Sequence, residues 1–179
     1  MVKDILAIPE ELEKVLYLIS RASKMKVGEG MEKESLPLLL QCYSSFCVIE
    51  RLAQMIPNFS TFVGIASLYF SESYEKKIII ELKEMLDEEY GKLGNLLLQM
   101  NKDFPKAFAE FSAKLLERFE DMAERRERLR EVIGTSARII TAEDILKVSE
   151  ILKEKYEFDF LLASKAKEVI IELVEKLKR

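Results

Sequence analysis

The stretch from Ser35 to Ser71 constrains this chain most. It reads SLPLLLQCYSSFCVIERLAQMIPNFSTFVGIASLYFS, and only Glu50 and Arg51 in it carry charge. The segments on either side are dense in Lys, Arg and Glu. An almost uncharged stretch between charged amphipathic segments predicts the central layer of a helical bundle. Six glycines and four prolines in 179 residues leave few turns, which favours long helices over a many-stranded sheet. Hydrophobic content of 49% supplies a sizeable core, and the 34% of charged residues can cover it.

The expected fold is all-α: six or seven helices around a central apolar pair, with a long antiparallel hairpin. Residues 1–134 form the bundle, including a hairpin over 72–133. Residues 135–179 form a C-terminal helical pair packed on it, within one domain overall.

The first helix starts at Pro9 and buries Leu12, Val15, Leu16 and Ile19. GEGMEKES follows as a loop. Ser35 caps the second helix, which Pro57 stops after Ile56. A third helix runs from Asn58 or Ser60 to Phe70. These two have no clean polar face and form the central pair.

The fourth helix, 72–100, repeats Ile79, Leu82, Leu86, Leu93, Leu96 and Met100 in steps that are sums of three and four, with Glu89 at the seam position between Leu86 and Leu93. The fifth, from Pro105 to Ile133, repeats Phe104, Phe108, Phe111, Leu115, Met122, Leu129 and Val132. Folding the two about Asn101–Asp103 brings Glu89 level with Arg118. An ion pair between them inside the seam is expected. Thr141 caps a sixth helix to Lys155. There YEFDFLL breaks the helical period, and a turn with Asp159 capping a seventh helix is favoured over one continuous helix.

The absence of histidine removes the common zinc sites and histidine acid–base catalysis. Cys42 and Cys47 fall on different faces of a helix, so they read as free thiols in a reducing cytoplasm. The N-terminal MVKDILAIPEELEK turns acidic where an apolar leader core would sit, so no secretory signal is expected. The apolar runs Leu36–Ile49 and Phe59–Phe70 are each too short to span a membrane. High Glu, Lys and Ile without Trp resembles a thermophile's composition.

Three constellations could carry function. Glu81, Glu84 and Glu88 lie level with Glu124, Glu120 and Glu117 on the neighbouring helix. Facing carboxylates of this kind could hold Mg²⁺ for an all-α nucleotide hydrolase. The Leu and Phe seam argues against it, because it turns these glutamates outward, and no metal or cofactor is assigned. Arg125, Arg126, Arg128 and Arg130, with Arg138, could grip phosphates, but interleaved glutamates and the net charge of −4 disfavour nucleic acid. Ser73–Lys76 and Ser164–Lys167 are chance Ser-x-x-Lys matches in a Lys-rich chain.

That leaves the apolar surplus. The expectation is a cytoplasmic, non-enzymatic scaffold or adaptor that binds a protein partner or itself. Phe59, Phe62, Tyr69 and Phe70 are its candidate contact residues.

Overall fold

A computed structural model describes residues 8–24, 30–59, 74–135 and 142–178. Within them lie six α-helices: α1 (Glu10–Ala22), α2 (Leu36–Phe59), α3 (Tyr74–Asp103), α4 (Pro105–Arg118), α5 (Met122–Thr135) and α6 (Ala142–Leu177). A short 3₁₀ turn, Lys33–Ser35, precedes α2. As expected, every regular element among the described residues is helical and none is a strand. None of these helices is long and apolar enough to cross a membrane.

The central element is α2. It packs most extensively on α6 and on α3, while α1 lies against α3 and α4. Its inner face is a continuous apolar column of Leu39, Cys42, Phe46, Ile49, Leu52 and Ile56, all buried. At about 25 cal/mol per Å² of apolar surface, residues of this size each stabilise the fold by roughly 1.5–3 kcal/mol. The helix does not stop at Pro57, as expected, but runs through it to Phe59. Proline removes one backbone donor and can be carried near a helix end, where little ladder remains to break.

Ser35 does not cap α2 through its hydroxyl either. It donates to the Glu32 carbonyl at 2.6 Å and tightens the turn. Glu32 is the capping residue, and it caps a different helix. Its carboxylate accepts from the backbone N–H groups of Lys106 at 3.1 Å and Ala107 at 3.0 Å. Those are free donors of the first turn of α4, where negative charge is favoured by the helix dipole. The connection read as a plain loop thus ties α4 to the start of α2.

The expected fifth helix is two helices. α4 ends at Arg118, and Phe119 leaves helical geometry at φ −124°, ψ 60°. The three residues 119–121 re-phase the chain. Phe119 and Met122 become buried, and the Phe119 ring packs on Phe158 of α6 with centroids 5.6 Å apart. Arg118, the last residue of α4, is half-buried and pairs with Glu168 and Glu172 of α6. The expected Glu89–Arg118 pair is therefore absent: Glu89 accepts from Ser45 at 2.9 Å and lies near Lys92.

The C-terminal pair is one helix, α6. No turn occurs at YEFDFLL, and Asp159 is not a cap but sits in mid-helix with no exposure. The physical reason is charge at core positions. Leu152, Lys155, Tyr156, Asp159, Leu162, Ala163, Ala166, Val169, Ile170 and Leu173 are all buried, at helical spacing. Two of these positions are ionic, which hides the period from a hydrophobic count.

Candidate functional site

Two features stand out where chemistry or recognition could occur: an ionic cluster inside the bundle and an apolar stripe outside it.

The cluster is built from two i, i+4 pairs. On α6, Lys155 Nζ lies 2.9 Å from Asp159 Oδ2, with side chains 2% and 0% exposed. On α3, Lys83 Nζ lies 2.5 Å from Asp87 Oδ1. Residues four apart share a helix face, so each helix presents its own Lys–Asp pair. Tyr90, one turn beyond Asp87, links the helices by donating its phenol to Asp159 Oδ1 at 2.6 Å. Lys155 Nζ also stands 4.1 Å from the centre of the Tyr156 ring, a cation–π contact.

Two ammonium groups face two carboxylates, so the cluster is neutral as a whole. Burial, aided by the Asp159 charge, holds the Tyr90 and Tyr156 phenols well above the usual range, so both stay protonated. Burial and then the nearby Lys155 charge lower the Lys83 ammonium, while Asp87 and Asp159 pull it back. Each Asp159 oxygen already has a partner. None of the buried side-chain atoms without a partner among the described residues belongs to this cluster; those are Glu13 Oε1, Ser112 Oγ and Arg126 Nε. Asp159, Lys155 and Tyr90 are thus matched to one another away from solvent, while Asp87 is partly exposed. What the cluster can do is hold α3 and α6 in one register, since any slip would strand a buried charge.

An open groove of about 620 Å³ beside the cluster, between α2 and α6, is lined by Ala53, Gln54, Pro57, Tyr156, Glu157 and Phe160, among others. A second cleft, about 580 Å³ between α5 and α6, has Leu129 and Phe158 among charged side chains. Its arginines are engaged: Arg125 with Asp121 at 2.6 Å and Arg128 with Glu154 at 3.1 Å. Arg126 and Arg130 both reach Glu13 of α1, at 3.5 and 2.8 Å. These four arginines are thus tied to carboxylates.

The two carboxylate sets are exposed. Glu81, Glu84 and Glu88 lie on the outer face of α3, and Glu117, Glu120 and Glu124 are equally solvated. Among the described residues, no group of three or more Cys, Asp or Glu side chains is gathered to hold a metal ion. Lys167 of the second Ser-x-x-Lys match pairs with Glu50 at 3.2 Å. Phe62, Tyr69, Phe70 and Ser73 lie outside the described residues, as does Arg138; Phe59 is the last residue of α2.

The stripe lies on the outer side of α2. Leu40, Val48 and Met55 are 48%, 40% and 37% exposed. With Ser44, Cys47 and Arg51 they fall within an arc of about 100°. Arg51 is the one charge in that arc. The flanking helices extend the apolar character. Met85 lies one turn before the Glu89 that Ser45 binds, and Ile171 lies one turn beyond Lys167, whose ammonium stands over the Tyr43 ring. Both are about half exposed. Among the described residues seven large hydrophobic side chains are exposed, and of these Tyr17 and Leu98 fall elsewhere.

The apolar surplus was expected across Ser35–Ser71, with contact residues at Phe59–Phe70 that lie at or beyond the edge of the described residues; sequence reasoning singled out neither the ionic cluster nor the outer stripe of α2. A signal for the cluster did exist: Lys83-x-x-x-Asp87 and Lys155-x-x-x-Asp159 each fall in phase with buried neighbours. Comparison with family models, curated proteins and solved structures finds no match to this chain.

Proposed function

We propose that this protein is a non-enzymatic helical scaffold or adaptor that self-associates through the outer face of α2. The observation that carries the reading is the stripe Leu40–Val48–Met55, flanked by Met85 and Ile171, where most of the exposed large hydrophobic side chains among the described residues gather. Apolar patches gathered on one face of a soluble fold are characteristic of interaction surfaces. The ionic groups support the same reading. The Lys–Asp cluster is internally neutralised, Arg125, Arg126, Arg128 and Arg130 are paired, and Glu81, Glu84, Glu88, Glu117, Glu120 and Glu124 are spread over solvated faces. In this reading the protein works in a reducing cytoplasm, where Cys42 and Cys47 remain thiols.

Size-exclusion chromatography with light scattering tests it. The expected mass lies above the 20.8 kDa of one chain and rises with concentration toward an oligomer. Val48→Asp is expected to return the protein to one chain while circular dichroism stays unchanged. A wild-type protein that remains a strict monomer at high micromolar concentration would sink the proposal.

A further inference from the structure

From the α2 stripe we infer a specific partner and geometry: a second copy of this chain, with the two α2 helices antiparallel about a two-fold axis between Cys47 and Val48. The inference rests on the self-association proposed above and adds the register.

The argument is self-complementarity. In an isologous interface one patch meets itself, so every residue must tolerate its counterpart. Reversing α2 on itself about the Cys47–Val48 midpoint sets Leu40 opposite the partner's Met55. It sets Cys47 opposite the partner's Val48, and Arg51 opposite the partner's Ser44. Apolar side chains meet apolar ones over about 22 Å of helix, at 1.5 Å per residue. Arg51, the only cation of the stripe, meets a hydroxyl that can accept from it. No like charges are opposed along the helix pair, a juxtaposition that would itself oppose association. A parallel pairing in register fails this condition, because it sets Arg51 against Arg51.

The surroundings fit. Ser44 is exposed and its hydroxyl makes no side-chain hydrogen bond among the described residues, so it is available to a partner. Glu50, the neighbouring acid, is already held by Lys167 at 3.2 Å and is turned toward α6. Arg51 therefore has no acid on its own stripe to satisfy it. Cys42, the other thiol, is fully buried on the inner face of α2 and cannot reach the axis.

A charge swap at the Ser44–Arg51 contact tests the register. Ser44→Arg is expected to weaken the dimer at least tenfold in light scattering, and Ser44→Glu to tighten it by a similar factor. The double variant Ser44→Arg/Arg51→Glu should restore wild-type association. In parallel, a short bis-maleimide should cross-link two native chains through Cys47, and Cys47→Ser should abolish the cross-link. Because Ser44 and Arg51 are exposed, circular dichroism should show all variants folded. If the wild type dimerises but neither Ser44 substitution alters its dissociation and Cys47 does not cross-link, this register is wrong while self-association stands. A wild type that never leaves the monomer removes both.

Discussion

Asp159 takes a phenolic proton donor on one oxygen and an ammonium on the other, at a depth where water supplies neither. That makes Lys155 and Asp159 the residues whose individual loss should hurt most. Lys155→Met leaves a buried carboxylate uncompensated, and the expected cost is about 3–5 kcal/mol. Replacing both, as Lys155→Met with Asp159→Leu, removes the desolvation penalty together with the pair and should recover part of that loss, the rest being the Tyr90 hydroxyl left without its acceptor. Urea unfolding of the two single variants and the double variant measures this. A double variant no more stable than Lys155→Met would mean the ions stabilise the fold directly rather than enforce its register. The sequence pointed away from this pair. Asp159 looked like a helix cap because a carboxylate in the middle of an apolar run is most simply explained by a chain end. Only the Tyr90 hydroxyl and the Lys155 ammonium, brought to it by packing, make the buried position tolerable.

Among the elements, α1 and α3 show how far local spacing predicts packing. The four apolar residues assigned to α1 are all buried, and so are five of the six assigned to α3, Leu96 being partly exposed. The side chains of Glu11 and Val15 of α1 come closest to Gly91 and Gly94 of α3. A methyl group added at Gly91 would meet Glu11 Cγ at 3.8 Å, and one at Gly94 would meet Val15 Cγ2 at 3.6 Å. Both are ordinary contact distances. Glycine inside a helix costs roughly 0.5–1 kcal/mol relative to alanine. Gly91→Ala and Gly94→Ala are each expected to raise stability by about that much, read as a higher urea midpoint with an unchanged slope. A loss at either site would show that α1 sits closer to α3 than described. The breaks between elements were less legible. Pro57 was expected to end α2 and does not, while nothing in the local sequence around Phe119 announces a break. What accompanies it is burial: the turn gives up a few helical hydrogen bonds and places Phe119 and Met122 inside.

At the scale of the whole molecule, the buried titratable groups set its response to alkali. Burial pushes the Cys42 thiol from 9.0 up to about 12. Tyr90 and Tyr156 are raised well above 10.0. A raised group keeps its proton in the native state after the unfolded chain has released it. Its contribution to stability is therefore complete below the unfolded value and is lost as pH rises through the native one. Lys83, lowered from 10.5, acts in the opposite sense, because the native state sheds its buried charge first. Three groups against one make the expected outcome a fall in the urea midpoint beginning near pH 9. Of the six tyrosines, Tyr90 and Tyr156 should gain phenolate absorbance only as the chain unfolds. Smooth ionisation of all six in folded protein would contradict the burial described here.

The sequence by itself determined the class of fold, the identity of the most apolar helix and the inward faces of α1 and α3. These follow from the spacing of apolar residues, which is a local property. The tertiary structure alone decided three things: where charges are buried, where a long helix breaks, and which side of α2 is left open. Each depends on what a distant segment supplies: a phenol for Asp159, a ring for Phe119, and two flanking helices that cover every side of α2 but one.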